Sequence, residues 1–460
     1  MVFILFTVLT VAWWGVLWFA LPVDLAALTP PSLITLHVAP PVLASFVLLM
    51  GRQAWKWNVT RKENAHNDEK KAQEAADLAA KEAASEAELA QRRAVIDCHA
   101  VWLAVPEIPD WFMNESPQCR ILGQDVDSLR AMGRNTALSS SLRQVFDAAL
   151  LQCEAFAYLP LYLLPGHAEG DEMALERVRK AWQEALASVS PEDAPTPDCR
   201  LIPASDEPLT DRIITLFEND PAMPAMWLLG ADSLLDDMPE PIDSAAAIKP
   251  GHAVAALILS RPNLTLTDAD TIEQPDLSNP YLPHWEREQG YRDAPRWGRV
   301  PPRLRKELWS LPPFAALHRS RALNLQGEEV RPAKRRQQFH DLLENVLVDA
   351  ALREPDGKAK EIEPPELKFL FHNCGADSAP ATNDRIASIF SALRDFDYWM
   401  KSDMARNIFT EHGDTGAASP ALMLAEATMC TAITQMPVMV ADSGGTGGMC
   451  IGLVRPAAGT

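Results

Sequence analysis

Leu367-Lys-Phe-Leu-Phe-His-Asn-Cys-Gly375 is the first of three segments that decide the fold. The second is Glu411-His-Gly-Asp-Thr-Gly-Ala-Ala-Ser419, and the third is Pro437-Val-Met-Val-Ala-Asp-Ser-Gly-Gly-Thr-Gly-Gly-Met-Cys-Ile-Gly-Leu-Val-Arg455. The apolar runs at 367–371 and 437–442 predict strands, because they are short and stop at polar or glycine residues. The order is therefore a strand, a small-residue helix entered through His-Gly, and a hairpin that turns on glycines.

Upstream segments predict more of the same α/β pattern. Apolar runs at 94–105, 226–233 and 252–259 predict further strands of a sheet that is covered on both faces. Helices are predicted at 173–189, which carries one apolar face, and at 339–352.

This order of segments resembles the condensing enzymes of the thiolase fold, in the β-ketoacyl synthase branch. His412 and Gly416-Ala-Ala418 match that family's Gly-His-x-x-Gly-Ala-Ala motif, and Gly444, Gly445 and Thr446 match its Gly-Phe-Gly-Gly-Thr motif. In the first half, Gly230-Ala-Asp-Ser233 and the strand after Gly251 match in order and spacing. The resemblance implies an α/β, thiolase-like duplicated five-layer fold over residues 94–456. A flexible turn is the alternative for Gly444–Gly448.

The residues that carry the family's chemistry are replaced. The family's first active-site histidine falls on Asn373, its lysine near Asn407, and its gating phenylalanine on Ser443. A condensing enzyme also needs a cysteine at a helix N-terminus, where the helix dipole favours the thiolate. Cys199, the nearest candidate, comes too early in the chain. We therefore predict no catalytic residue, with His412, Asn373, Asn407, Ser443 and Gly444–Thr446 as positions of a vestigial site.

The domain boundaries follow from shifts in composition. We predict a transmembrane hairpin at 1–51, a helical stalk at 52–93, and a first thiolase-like half at 94–262. An insertion at 263–338 precedes the second half at 339–456. The insertion is rich in tryptophan and arginine, which dominate binding hot spots. The predicted partner-binding residues are Trp285, Trp297, Trp309, Arg303 and Arg305.

The N-terminus is apolar. Residues 2–21 carry no charge and are about long enough to span a bilayer; a signal peptide is the competing interpretation. Residues 32–50 predict a second, kinked span, with a re-entrant or interfacial segment as the alternative because of Pro40-Pro41. Basic residues follow at once at 52–62, and the positive-inside rule puts that end in the cytoplasm. The predicted location is the bacterial inner membrane, with the soluble domain in the cytoplasm.

Charge and cysteine content exclude other classes. The chain carries 62 acidic against 42 basic residues, a formal charge of −20, which argues against nucleic-acid binding. Its seven cysteines show no paired spacing and are interpreted as reduced thiols. His167, Glu169 and Asp171 could suggest a metal, but an acidic loop needs none. No cofactor and no metal are predicted.

Two functional hypotheses remain. The first is a catalytically degenerate thiolase-fold protein that acts as a cytoplasmic adaptor or chaperone for a protein partner. Its layout of membrane hairpin, helical stalk and degenerate domain resembles the adaptors that load lipase effectors onto the type VI secretion spike. The second is an active membrane-associated acyl-condensing or acyl-transfer enzyme that uses Cys199 or Cys374 with His412. A sulfur within hydrogen-bond reach of His412 would favour the enzyme.

The predicted orientation can be tested by fusing alkaline phosphatase to the C-terminus in a Gram-negative host. We expect no phosphatase activity, because the enzyme folds only outside the cytoplasm, where its disulfides form. A green fluorescent protein fusion at the same position should fluoresce. An active phosphatase fusion would contradict the orientation.

Overall fold

The structure is a computed structural model, and it describes most of the chain. The described residues are 2–19, 29–112, 116–167, 169–189, 195, 198–220, 223–235, 248–262, 300–324, 332–355, 366–377, 379–443 and 448–457. Residues 1–88 and 89–460 form two compact units.

The N-terminal unit contains two apolar helical segments. Helix α1 (Val2–Phe19) contacts helix α2 (Pro30–Arg92), since the indole Nε1 of Trp13 donates a hydrogen bond to the carbonyl of Leu36 at 2.8 Å. Only α2 contains a segment that is long and apolar enough to cross a membrane; Phe6–Phe19 is a shorter apolar helix. The described residues thus give one candidate membrane helix where the sequence predicted two. The helix also continues through Pro40 and Pro41.

The second unit contains twelve strands among its described residues. They are β1 (Val95–Val105), β2 (Cys119–Gly123), β3 (Leu161–Leu163), β4 (Cys199–Leu201), β5 (Ala225–Ser233), β6 (His252–Ser260), β7 (Ala315–His318), β8 (Arg321–Asn324), β9 (Phe369–His372), β10 (Ala405–Asn407), β11 (Val438–Asp442) and β12 (Gly448–Pro456).

Helices connect these strands and cover the sheet. They are α3 (Val126–Met132), α4 (Arg134–Gln152), α5 (Asp171–Val189), α6 (Leu209–Asn219), α7 (Pro302–Trp309), α8 (Pro332–Asp349), α9 (Pro380–Arg394), α10 (Ile408–His412) and α11 (Ser419–Thr434). Short 3-10 turns at Glu154–Tyr158, Ser402–Met404 and Gly416–Ala418 complete the described elements.

The strand order reveals a duplication. The first half runs β4-β3-β5-β6-β1 across the sheet, and the second runs β10-β9-β11-β12-β7. If the main strands of each half are numbered along the chain, both halves have the same spatial order, third-second-fourth-fifth-first. In both halves the first three strands across are parallel and the next is antiparallel. The two pseudo-repeated halves predicted from the sequence are confirmed.

The helices arrange these strands in five layers. Helix α11 packs against β5, β6 and β1 of the first half and against β9, β11 and β12 of the second. Apolar residues of its equivalent, α6, belong to the same central core. Helices α4 and α5 cover the outer face of the first half, and α8 and α9 contribute to the core on the outer face of the second. The order α-β-α-β-α agrees with the predicted five-layer, mixed α/β fold.

Side-chain alternation on β1 explains why this strand is buried on both faces. Val101, Leu103 and Val105 point into the central core, whereas Trp102 and its even-numbered neighbours point into the outer core. Successive residues of a strand face opposite sides of the sheet. In the outer core Trp102 stacks on Trp227 at 5.7 Å between ring centroids.

The predicted insertion at 263–338 needs correction. Strand β7 pairs with both β1 and β12, and β8 pairs with β12, so both belong to the sheet. The second half therefore begins at β7 rather than at residue 339. Four-residue strands are too short to show a periodicity that would reveal them in the sequence. Residues 263–299 of the insertion lie outside the described residues.

A buried carboxylate joins the start of the second unit to its core. Asp349, the last residue of α8, is fully buried and pairs with Arg92 at 2.7 Å and with Arg321. We expect Asp349→Ala to lower the free energy of unfolding by about 2–3 kcal/mol, because charged hydrogen bonds to two arginines are lost. Urea unfolding of the detergent-solubilised protein, followed by tryptophan fluorescence, measures this.

Asp384→Ala is the matched control, because Asp384 is largely exposed at 3.7 Å from Arg335. Its loss should cost less than about 1 kcal/mol. Equal effects of the two substitutions would contradict a stabilising role for the buried pair.

Candidate functional site

A cleft lies where the two halves meet. Its volume is about 620 Å³, and the N-terminal ends of both central helices reach it. Pro208 and Leu209 line it at the start of α6, and Pro420 lines it at the start of α11. The cleft is thus built from equivalent parts of the two halves.

The start of α6 is the position at which a helix dipole would activate a thiol. Asp206, Glu207, Pro208 and Leu209 occupy this part of the cleft, and none carries a thiol. Cys199 lies earlier, in β4, where it is buried. The helix end is therefore in place without a nucleophile.

The three candidate cysteines are poor nucleophiles. Burial raises the pKa of Cys199 and of Cys374 to about 12, and burial raises the pKa of Cys450, which lines the cleft, to about 11. The thiolate is the reactive form, and it is scarce at neutral pH at these values. No histidine is among the described residues that line the cleft.

Asn373 holds together the parallel strands of the second half. It follows β9, and its side-chain amide donates to Asp442 at 2.8 Å at the end of β11. The amide oxygen of Asn373 accepts from the backbone N–H of Ser443 at 2.7 Å, and its backbone carbonyl accepts from the Ser443 hydroxyl. Asn373 and Ser443, two predicted vestigial positions, are thus direct hydrogen-bond partners, and these bonds explain a structural role for both.

Asn407 makes a second structural junction. Its side-chain oxygen caps α10 by accepting from the backbone N–H of Phe409 at 3.1 Å. Its amide donates to the carbonyl of Gly375 at 2.8 Å and to Asp377 at 2.6 Å. The structure therefore brings the loop after β9 next to the 407–412 segment. All the hydrogen-bonding groups of the Asn407 side chain face protein.

Asp232, at the end of β5, ties the first half to the entry of α11. One carboxylate oxygen accepts from the backbone N–H of Ala417 at 3.0 Å, and the other accepts from Arg134 at 2.8 Å. Gly416 has a φ of 52°, and a Cβ there would lie 2.5 Å from the Asp232 carboxylate. Glycine is therefore required at this point of the motif.

His412 is not among the residues that line the cleft. Its ring Nε2 lies 2.6 Å from the Glu426 carboxylate of α11, and Nδ1 has no hydrogen-bond partner. Burial lowers the pKa of His412. Glu426 and other nearby carboxylates raise it by a larger amount, so the pKa lies above its usual value. Neither Cys199 nor Cys374 is a hydrogen-bond partner of its ring. The geometry that would favour the enzyme hypothesis is absent from the described residues.

Sequence reasoning missed the partner of His412. Glu426 is fully buried, and together with Glu411 and His412 it forms a group whose ligand atoms lie within 4.8 Å of one another. Burial raises the pKa of Glu411 to about 7. A buried glutamate inside an otherwise apolar helix was the available signal, since such residues are seldom fully buried unless paired.

The other predicted positions have different outcomes. Arg303 is exposed and pairs with Glu154 at 2.9 Å, but Arg305 is 3% exposed and donates to the carbonyl of Val300, so the prediction that Arg305 binds a partner is wrong. Trp309 is the last residue of α7. Trp285, Trp297, Gly444, Gly445 and Thr446 lie outside the described residues.

The acidic loop at 167–171 is explained by local contacts. His167 Nδ1 lies 3.1 Å from Asp171, and Glu169 pairs with Arg177. The same Asp171 carboxylate accepts from the backbone N–H groups of Gly166 and His167. These bonds order the start of α5.

Among known proteins, this chain is similar only to solved structures, and that similarity is in fold rather than in sequence. No protein-family model matches the chain, and no curated protein matches it. The ishigamide ketosynthase/chain length factor is 10% identical, with a TM-score of 0.43, and the match covers 79% of this chain and 100% of that one. The peroxisomal 3-ketoacyl-CoA thiolase of Saccharomyces cerevisiae is 9% identical, with a TM-score of 0.42, covering 80% and 98%.

A third similar structure is the ketosynthase from module 6 of the bacillaene synthase of Bacillus subtilis 168. It is 10% identical, with a TM-score of 0.41, and the match covers 79% of this chain and 72% of that one. The duplicated strand order establishes the two α/β halves independently of these likenesses. Likeness at this level carries no argument about activity.

Two buried histidines of the second unit are neutral. His252 on β6 is fully buried, and its Nε2 lies 2.9 Å from the hydroxyl of Ser141. Burial lowers its pKa to about 4. His372 beside Asn373 has its pKa lowered to about 4 by burial as well. Both rings are therefore uncharged at neutral pH in the folded protein.

Burial of His252 should make part of the folding free energy sensitive to acid between about pH 6.5 and 4. The folded pKa of His252 lies below its unfolded value, so the unfolded chain takes up a proton first as the pH falls. This stability is present above about pH 6.5 and is lost by pH 4, roughly 3 kcal/mol for one histidine. Urea unfolding across this range should show a shallower pH dependence for His252→Gln. His66→Gln, on exposed helix surface, should leave the dependence unchanged, and an unchanged slope in His252→Gln would contradict the prediction.

Proposed function

We propose that the protein is a membrane-anchored, non-catalytic thiolase-fold adaptor that binds a protein partner in the cleft between its halves. The observation that carries the proposal is the start of α6. This helix end opens into the cleft beside Asp206, Glu207 and Leu209, where covalent catalysis would need a thiol. A cleft with its walls in place and no activated nucleophile is suited to binding.

The residues at the former catalytic positions support the same conclusion. Hydrogen bonds to neighbouring strands and loops occupy the polar groups of Asn373, Ser443 and Asn407. His412 bonds to Glu426 and does not line the cleft. Nucleophile, base and orienting group have to act together, and removal of each one costs orders of magnitude in rate.

The cleft has the chemistry of a peptide-binding surface. Apolar side chains such as Leu209, Pro420 and Met449 line it together with the carboxylates of Asp206 and Glu207, which are exposed. A partner loop that presents apolar residues flanked by lysine or arginine would complement this surface.

The N-terminal helices support anchoring. Helices α1 and α2 expose large apolar residues, among them Val11 at 65%, Trp18 at 66% and Val47 at 66%. Apolar surface of this extent is normally buried, and a lipid bilayer would bury helices of this composition. We propose that both helices form the anchor, in the bacterial inner membrane, and that the second unit lies in the cytoplasm.

The partner we propose is a lipase effector of the type VI secretion system, together with its spike protein. The proposal rests on the layout of apolar hairpin, long helix and degenerate domain. The proposed cleft site and the exposed Arg303 give two surfaces at which such a partner can bind.

Co-expression with the type VI lipase effectors of the same genome tests the proposal. We expect one effector to co-purify with the detergent-solubilised protein, and Asp206→Lys/Glu207→Lys to weaken this binding at least about tenfold, because it reverses the charge of the cleft rim. Glu172→Lys/Glu176→Lys on the outer helix α5 reverses the same number of exposed charges and should bind normally.

Acyl transfer is the outcome that would overturn the proposal. The purified protein is incubated with an acyl-thioester or a cerulenin-like inhibitor and its intact mass is measured. We expect no covalent adduct. An adduct on Cys199, Cys374 or Cys450 would show an activated nucleophile and contradict the non-catalytic proposal, and equal effector binding by both charge-reversal variants would exclude the cleft as the binding site.

A further inference from the structure

Outside the cleft, two helices bring three metal-ligating side chains together. Glu411 and His412 end α10, and Glu426 lies in the middle of α11. One ligand atom of each lies within 4.8 Å of the other two. The side chains of His412 and Glu426 are 1% and 0% exposed, and that of Glu411 is 19% exposed.

The cluster leaves two carboxylate oxygens without a hydrogen-bond partner, one on Glu411 and one on Glu426. The indole N–H of Trp111 interacts with the Glu411 carboxylate, whereas the Glu426 oxygen is fully buried. Nδ1 of His412 also has no partner, and an ion bound through Nε2 would leave it so. Buried polar atoms are nearly always paired, and each exception calls for an explanation such as a bound ion or water. The single hydrogen bond between His412 Nε2 and Glu426, at 2.6 Å, does not account for the two carboxylate oxygens.

We infer that Glu411, His412 and Glu426 bind one divalent transition-metal cation of the Zn²⁺ type. A zinc ion bonds to imidazole nitrogen and carboxylate oxygen at about 2.0–2.2 Å, so in tetrahedral coordination two of its ligand atoms lie roughly 3.4 Å apart. The ligand atoms of the cluster lie within 4.8 Å of one another, so side-chain movements of roughly 1 Å would bring all three into range. Water would fill the remaining coordination positions.

The ligand set and the surrounding charges favour this class of cation. An imidazole together with two carboxylates suits zinc and its neighbours better than calcium or magnesium, which prefer oxygen alone. Arg406 lies 3.6 Å from Glu411 and balances one carboxylate. The cation would replace the proton that His412 and Glu426 now share. The hydrogen bond between them would be lost, and each side chain would form a bond to the metal instead.

Such an ion would fasten α10 to α11 next to the segment that enters the cleft. This role is independent of the proposed adaptor function, because none of the three ligands is among the residues lining the cleft. Sequence separation is short, from 411 to 426, so the ion would close a small loop and stabilise the folded form.

Metal titration of the full-length protein in detergent tests the inference. The protein is stripped with EDTA and titrated with Zn²⁺, and bound metal is counted by mass spectrometry after gel filtration; Co²⁺ serves as a visible spectroscopic probe. We expect about one Zn²⁺ per chain and a rise in melting temperature with Zn²⁺. His412→Gln and Glu411→Gln should each weaken binding at least about tenfold.

His340→Gln is the matched control, because His340 lies 3.6 Å from Asp341 on a partly exposed helix surface. It should bind Zn²⁺ as the unmodified protein does. If His412→Gln fails to fold, Glu411→Gln decides the question, because its side chain is the most exposed of the three. Binding that is no weaker in Glu411→Gln than in His340→Gln, or no Zn²⁺ bound by the unmodified protein, would overturn the inference. Neither result depends on a protein partner.

Discussion

The close approach of helix α11 to strand β5 is the constraint on which the structure depends. A Cβ on Gly230 would lie 2.6 Å from the Cβ of Ala421 and 3.2 Å from the backbone of Ala418. Only glycine on β5 and alanine on α11 allow this distance. The start of α11 also carries Gly416, which Asp232 would exclude with any larger side chain. The central layer, the junction of the halves and the walls of the cleft all follow from this contact.

Much of the fold could be predicted from sequence because its central strands are buried on both faces. The predicted strands at 226–233 and 252–259 correspond to Ala225–Ser233 and His252–Ser260, in which every residue is buried. Continuous apolar runs of this length have few other interpretations. The short strands β7 and β8 have no such signal, because β8 alternates between half-buried and exposed residues over four positions and β7 is equally short. The resemblance to the condensing enzymes supplied the pairing of the halves, which composition alone could not.

The site was harder to predict because its contacts join distant parts of the chain. Sequence reasoning identified Asn373, Asn407 and Ser443 as replaced positions, and it could not foresee that they bond to strand ends and loops around them. Nothing local to Asp232 indicates that it would accept a hydrogen bond from Ala417, which is 185 residues away. Arg305 shows the opposite difficulty: a charged residue in a basic, proline-rich segment looks exposed, yet its guanidinium is buried against Val300.

Strand β7 has a mechanical consequence for the cleft. It pairs with Val95–Cys98 of β1 on one side and with Val454–Pro456 of β12 on the other, so backbone hydrogen bonds run without a break from one half to the other. A hinge between the halves would have to break these bonds or carry β7 with it. The cleft therefore cannot open and close by rigid-body rotation of one half against the other. Whatever enters it must be accommodated by loops and side chains, and it meets a receptor whose frame is preorganised, so little of the binding free energy is lost in reshaping that frame.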